Sequence, residues 1–334
     1  MTIAGQRVVV TGADGFIGSH LCEAAVAAGA KVTALSLYDA FGTAGWLDAL
    51  APEVLAALTI ERGDLRDPAT ISGLIEGADV VFHLGALIAI PYSYQAVQSY
   101  VDVNVKGTVN VLEAARAAGV ARVVHTSTSE VYGTARFTPI TEDHPYQGQS
   151  PYAATKIGAD MMAEAYARSF ELPVVILRPF NTYGPRQSER AVIPTVIRQA
   201  LDPACDQIIV GDLTPKRDFT FVGDTVAAFL AAATAPLDYG VPYNCGTGKA
   251  VTIGETIDQI VKLTGCNKKV VSEAARRRPD KSEVRELRAD ASRFAAATGW
   301  RAETSLKAGL ASTIEWWRGR IASGAARPAS SYLT

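Results

Sequence analysis

Cysteine, histidine, net charge and long apolar runs are all scarce in this chain of 334 residues. Its four cysteines, Cys22, Cys205, Cys245 and Cys266, stand far apart with no C-x-x-C pair and no matching histidine cluster. That excludes a disulfide framework and a zinc-type centre, so no metal is expected and the thiols read as packing groups in a reducing cytoplasm. Lys and Arg total 32 against 34 Asp and Glu, a net charge of −2. A nucleic-acid partner is therefore not indicated. No apolar run nears the ~18 residues of a membrane span, and no basic stretch leads into an apolar one at the start. The expectation is a soluble cytoplasmic protein with no membrane partner. Disorder is excluded as well, because 48% of the residues are hydrophobic and only 20% charged. The length exceeds the ~250–300 residues at which single cores stop growing, which points to one large domain or two lobes.

What the chain does have is strand and helix in alternation. The β-branched run Arg7–Thr11 ends at Gly12-Ala13-Asp14-Gly15-Phe16-Ile17-Gly18, and Ser19–Ala28 continues as a helix. Further strands are expected at Lys31–Leu37, Leu58–Arg62, Asp79–Leu84, Val120–Ser127 and Pro173–Arg178, with helical stretches between them. This order predicts an α/β fold: a Rossmann-type, doubly wound parallel sheet with helices on both faces and a smaller α/β substrate-binding lobe. The longest helical segments, Tyr100–Ala118 and Tyr152–Phe170, carry apolar residues beyond one buried face, such as Val103, Val109 and Leu112, and Met161, Met162 and Ala165. These suit core packing and a subunit interface equally, and a homodimer is expected. After Arg178, loops rich in Pro, Gly and Arg alternate with shorter elements up to an amphipathic helix around Leu306–Arg318. The division is drawn as 1–181 with 214–245 for the large domain, 182–213 and 246–323 for the smaller lobe, and 324–334 as a mobile tail.

Gly12, Gly15 and Gly18 are spaced for a tight turn, close backbone approach to a pyrophosphate and close packing of helix on sheet. Asp64, after the third strand, is placed to accept a hydrogen bond from an adenine amine. His83-Leu84-Gly85-Ala86 ends the fourth strand with small residues that leave room for a ribose. The end of the second strand offers Ser36 where NAD sites usually carry Asp or Glu, and no arginine stands there to favour NADP. NAD is the expected cofactor, with NADP still open.

In Tyr152-Ala153-Ala154-Thr155-Lys156 the two reactive side chains lie one helical turn apart on one face. A phenol titrating near ~10 is a poor base at neutral pH, so a neighbouring ammonium and a positive nicotinamide are needed to favour the phenolate. Glu130, in Thr128-Ser129-Glu130-Val131-Tyr132-Gly133, adds a carboxylate at the end of a Ser/Thr-rich strand.

From Arg7 to about Trp317 the chain resembles the extended short-chain dehydrogenase/reductase family of nucleotide-sugar epimerases and dehydratases. The resemblance rests on T-G-x-x-G-F-I-G, G-D-L-R-D, H-L-G-A, T-S-E-V-Y-G, Y-A-A-T-K, R-P-F-N-T-Y-G-P-R-Q and R-D-F-T-F-V-G-D. It implies cofactor contacts from Gly12, Gly15, Phe16, Ile17, Gly18, Ser36, Asp64, Leu65, Leu84, Gly85, Ala86, Asn104, Tyr152 and Lys156, the cofactor being tightly held and regenerated each turnover. A 4-epimerase of the family usually has a small residue where Glu130 stands, whereas a 4,6-dehydratase needs a carboxylate beside the tyrosine. The resemblance therefore implies that Tyr152 takes the C4 hydroxyl proton, Glu130 removes the C5 proton, water leaves from C6, and Thr128 hydrogen-bonds the C4 oxygen. dTDP-glucose dehydratases place an Asp acid at a position where this chain, like GDP-mannose dehydratases, has a serine, Ser129, so the resemblance implies that Glu130 acts as base and acid in turn or that a water relayed by Ser129 assists. Tyr92, Asn181, Val192, Arg217 and Arg278 are implied as substrate contacts, with Asn181 and the arginines on the diphosphate and Val192 along the base. The segments Tyr38–Asp48, Ile88–Tyr94 and Pro179–Pro194 are most similar to dehydratases of nucleotide-activated N-acetylglucosamine, including those of legionaminic-acid pathways, with UDP or GDP as the nucleotide. The competing readings are a UDP-glucuronate decarboxylase, a 4-epimerase, and a non-catalytic dinucleotide-binding scaffold.

Overall fold

The structure is a computed structural model that describes residues 2–276 and 279–329. Its centre is strand β1, Arg7–Thr11, whose last four residues are all buried. An uninterrupted apolar run of this kind suits a strand covered by helices on both faces. Around it lie β2 (Lys31–Leu37), β3 (Leu58–Gly63), β4 (Val80–His83), β5 (Arg122–Thr126), β6 (Val174–Pro179) and β7 (Pro242–Cys245). They form one seven-stranded sheet in the order β7-β6-β5-β4-β1-β2-β3. Every pairing in it is parallel.

The fold is therefore a Rossmann-type α/β sheet. Strand order reverses between β1 and β4, and a ligand crevice belongs at the carboxyl ends of the strands flanking that point. One apolar core, containing Val8, Leu21, Phe82 and Phe229, packs helices α1 (Phe16–Ala27) and Val222–Thr234 on one face. The other, containing Val9, Ile71, Val111, Ala163 and Tyr166, packs Pro68–Ile75, α2 (Gly107–Ala118) and α3 (Pro151–Phe170).

Several elements differ from the expectation. The helix read over 100–118 is three pieces: Val97–Tyr100, a π-helical stretch Val101–Lys106, and α2. The wider turn carries the buried Asn104, and such π-bulges favour functional sites. Helix α1 begins at Phe16 rather than Ser19, so Phe16 and Ile17 form its first turn. The strand Lys216–Asp218 pairs with Ala250–Thr252 and Glu286–Leu287, placing it in the smaller lobe. Phe294 and Trp300 pack in the core of the large sheet. Residues 325–329 are tied down: Arg198 Nη2 donates to the carbonyls of Arg327 (2.7 Å) and Pro328 (3.1 Å), and Ala329 N donates to Asp202 (3.2 Å). The rest of the tail, 330–334, lies outside the described residues.

Candidate functional site

The glycine loop runs from β1 into α1 under tight steric limits. Gly12 sits at φ +66°, and a Cβ there would stand 2.8 Å from the Gly85 backbone. A Cβ on Gly18 would meet the Gly12 carbonyl at 2.1 Å. Thr11 Oγ1 accepts from the amides of Leu84 (3.1 Å) and Gly85 (3.0 Å), locking the end of β4 against the loop. Gly15 stands at the N-cap of helix α1, which has no side-chain cap and no acid in its first turn. A positive helix end left uncapped beside a glycine cradle fits a dinucleotide pyrophosphate.

The adjoining cavity, about 350 Å³, is lined by Gly12, Asp14, Asp64, Leu65, Gly85 and Ala86, among others. Asp64 stands at its wall, its carboxylate accepting both Nε (3.0 Å) and the backbone amide (2.9 Å) of Arg66. The Arg66 hydrogen bonds hold this carboxyl below its usual range. Tyr92 also lines this cavity. Two expected contacts are turned elsewhere. Ser36 is fully buried, its hydroxyl donating to Asp14 (3.2 Å) and accepting from Arg62 (3.0 Å). An arginine is thus present at the end of β2, brought there by β3. Asn104 gives its amide hydrogens to Leu87 O (2.9 Å) and Thr155 Oγ1 (3.1 Å) and accepts from Leu87 N (2.8 Å). With those groups engaged, Asn104 positions the loop around Leu87 against α3 instead of facing the cavity.

The catalytic candidates meet where β5 and α3 converge. Ser150 caps α3 by accepting from Ala153 N at 3.1 Å, with Pro151 at the first turn, which starts the helix so that Tyr152 and Lys156 share one face. Thr128 caps the short turn Ser129–Tyr132 by accepting from Glu130 N at 3.2 Å. Its hydroxyl also bonds the Tyr152 phenol, and Glu130 lies close enough to act on that phenol by charge. Ser129 is buried in the same turn. The Tyr152 ring packs with Ile90 and lies edge-on to Tyr100.

Burial dominates the Tyr152 phenol and raises it above its ordinary range. The Thr128 hydrogen bond opposes this, while Glu130, Tyr100 and Asp160 add to the rise. The lowering expected from Lys156 is not what governs this phenol, because the lysine Nζ is turned to the Thr126 carbonyl at 2.6 Å. Burial brings the Lys156 ammonium down to about 8, with Asp160 opposing.

Sequence reasoning missed the group beneath them. Asp160, fully buried, accepts from Ser127 Oγ (2.6 Å), His125 Nε2 (3.2 Å) and the Arg178 guanidinium (3.0 and 3.2 Å). Burial alone would raise this carboxyl, but Arg178 and the His125 and Ser127 bonds hold it at about 2. Arg178 also donates to the hydroxyls of Tyr132 and Tyr146. The available signal was spacing: Asp160 follows Lys156 by one helical turn on the same face.

A second cavity, about 370 Å³, opens in the smaller lobe and includes Asn181, Gln187, Arg190, Val192, Arg217 and Arg276 in its lining. Asn181 Nδ2 is buried there with no hydrogen-bond partner among the described residues. Arg217 reaches the wall but pairs with Glu283 at 2.8 Å and donates to Val284 O at 2.7 Å. Arg278 lies outside the described residues, and its neighbour Arg276 lines the cavity together with Arg190 and with Gln187, the last residue of the R-P-F-N-T-Y-G-P-R-Q motif. The helix Ile90–Ser93 joins the two cavities: Pro91 lines this one, Tyr92 lines the other, and Ile90 packs on Tyr152. Among the described residues, no group of His, Cys, Asp and Glu is arranged to hold a metal, and no helix is long and apolar enough to cross a membrane.

Residues 9–313 match the sequence profile of a family described as GDP-mannose 4,6 dehydratase. A UDP-glucose 4-epimerase of Mycolicibacterium smegmatis is 34% identical over 94% of this chain and 99% of its own length. A dTDP-glucose 4,6-dehydratase of an Actinoplanes species is also 34% identical, over 94% and 98%. The solved structure of MoeE5 in complex with UDP-glucuronic acid and NAD is similar at a TM-score of 0.82 and 34% identity, covering 94% of this chain and 99% of that one.

Proposed function

The chain belongs to the GDP-mannose 4,6 dehydratase family of nucleotide-sugar enzymes, and on that footing we propose that it is an NAD-dependent 4,6-dehydratase converting UDP- or GDP-linked N-acetylglucosamine to the 4-keto-6-deoxy sugar. The carrying observation is Glu130, a carboxylate electrostatically coupled to a Tyr152 phenol that Thr128 hydrogen-bonds. An epimerase has no use for that carboxylate, since it returns hydrogen to the carbon that lost it. A dehydratase needs it to take a proton from C5.

The glycine cradle, the uncapped start of α1 and Asp64 at the cavity wall fit NAD. Bound there, NAD would supply a two-electron acceptor for C4 and return the pair to C6. The chain's own residues carry the protons. Tyr152 Oη takes the C4 hydroxyl proton, Thr128 steadies that oxygen, and Lys156 sets positive charge beneath the pair. Because burial raises the phenol, positive charge near it governs how readily Tyr152 acts as a base. The Glu130 carboxylate takes the C5 proton, acidified by the neighbouring ketone, and delivers it as the C6 hydroxyl leaves as water. Ser129, buried beside it, helps orient that delivery. Once C6 is reduced, C5 takes up a proton that originates in solvent. Asn181 and the cavity arginine Arg217 hold the diphosphate, and Val192 lies along the base; the same role for Arg278 rests on the sequence resemblance alone.

The segments around Tyr38–Asp48 and Pro179–Pro194 support N-acetylglucosamine as the sugar. The exposed faces of Val97, Val101 and Met161 support a homodimer, and the free thiols support a cytoplasmic setting. A monomer by light scattering would contradict the dimer. Incubation with UDP-N-acetylglucosamine and GDP-N-acetylglucosamine separately, followed by product mass, tests the reaction. Loss of one water from either confirms dehydration and names the nucleotide; an unchanged mass with an inverted stereocentre makes the chain an epimerase.

A further inference from the structure

β2 ends without an acid of its own, yet a carboxylate stands at its end. It belongs to Asp14 of the glycine loop, whose Oδ2 accepts from Leu37 N (3.0 Å) and Ser36 Oγ (3.2 Å), the last two residues of β2. The Asp14 backbone is fixed as well: its carbonyl accepts from Trp46 N at 2.9 Å. Gly45, at φ +58°, leaves no room for a Cβ, which would stand 2.6 Å from that carbonyl. Oδ1 takes none of the hydrogen bonds among the described residues, and Asp14 lines the cofactor cavity with Asp64 and Gly85.

Behind Ser36 stands Arg62. Its Nη1 donates to Ser36 Oγ at 3.0 Å, and its other bonds go to the carbonyls of Gly42 (3.1 Å) and Thr43. All its hydrogen-bond acceptors among the described residues are neutral. One buried hydroxyl therefore separates an anion that faces the cavity from a cation held behind it.

We propose that Asp14 does the work of the missing β2 acid: it takes the adenosine 2′-hydroxyl of NAD and so sets the preference for NAD over NADP, while Ser36 and Arg62 hold it in place. The inference rests on the NAD reading above. A 2′-hydroxyl can donate to Asp14 Oδ1. A 2′-phosphate carries about −1.5 to −2 charges and offers only acceptors to the same carboxylate. With the Asp14 charge removed, the Arg62 guanidinium acts through Ser36 on whatever sits at the 2′ position, and NADP gains.

The test is calorimetric titration of the full chain, freed of co-purified nucleotide, with NAD, NADP and NAD lacking the adenosine 2′-hydroxyl. A hydrogen bond to a charged group corresponds to roughly 10- to 100-fold in affinity. The wild-type chain should favour NAD over both other nucleotides by about that factor. Asp14→Asn, which keeps an acceptor for Leu37 N, should narrow the NAD-to-NADP ratio at least ~10-fold, and Arg62→Gln added to it should reverse the gain. An unchanged ratio in Asp14→Asn, or wild-type binding of the 2′-deoxy compound as tight as that of NAD, overturns the proposal. A wild-type chain that binds none of the three nucleotides refutes the cofactor reading itself.

Discussion

Asp160→Asn takes one negative charge from a fully buried point where Ser127, His125 and two nitrogens of Arg178 converge. Asparagine keeps one oxygen for those donors, and its amide hydrogens face Arg178, which can only donate. Arg178, equally buried, is left with the Tyr132 and Tyr146 hydroxyls and no anion against it. Breaking a buried ion pair by removing one partner costs about 3–5 kcal/mol. At about 2 °C per kcal/mol for a chain of this size, the melting temperature should fall by about 6–10 °C in a calorimetric scan at pH 7. The Asp160 carboxyl is held down from 3.8 to about 2, so its contribution is present above 3.8 and lost as pH falls toward 2. The gap between variant and wild type should close over that window. Asp160 is also the group that raises the Lys156 ammonium against its burial. Without it the lysine loses its proton at lower pH, and the alkaline limb of the activity profile shifts below the wild-type position. A melting temperature within about 2 °C of wild type, together with an unmoved alkaline limb, would refute the reasoning.

In the wild-type enzyme that alkaline limb should fall near pH 8, where Lys156 gives up its proton; a rate flat through pH 9 would remove the lysine charge from the mechanism. Tyr152→Phe should abolish turnover while leaving NAD affinity within about twofold, measured by titration, because the ring's packing on Ile90 and Tyr100 survives. Glu130→Gln should stop deuterium entering C5 from solvent, followed by mass spectrometry of substrate and product; wild-type exchange would take the proton abstraction away from Glu130. Gly18→Ala places a methyl 2.1 Å from the Gly12 carbonyl. The loop must move, lowering NAD affinity at least ~10-fold and stability by about 1–3 kcal/mol.

Legibility in this chain followed locality. β1 and β2 appear at the residues their β-branched runs mark out, and α3 starts within one residue of its expected start because Ser150 and Pro151 are local signals. The π-helical turn at Val101–Lys106 left no such mark, since its extra residue per turn depends on Asn104 gripping Leu87 and Thr155, from two other parts of the chain. β7 was invisible for the same kind of reason: its place at the sheet edge beside β6 is decided by tertiary pairing. Tyr152, Lys156 and Glu130 were legible as motifs. The pKa logic was only half legible, because burial, which dominates both Tyr152 and Lys156, is not written in the spacing of two side chains.

The same distinction separates the two halves of the proposed reading, the reaction and the substrate. The proposed catalytic groups lie on the turn after β5 and the first turns of α3, so short stretches of sequence carry them whole. The proposed substrate cavity is assembled from Pro91, residues within 181–195 and 209–219, Ile253, Arg276 and Glu283, segments that come together only when the smaller lobe folds. There the meaning of a residue depends on its partner. Arg217 reads as a free cation in sequence, but in the fold it is paired with Glu283. A diphosphate drawn to Arg217 must share it with that carboxylate or displace it, so Glu283 tempers the affinity the arginine alone would give. Under the proposed function that competition is a property of the folded lobe, not of the R-D-F motif.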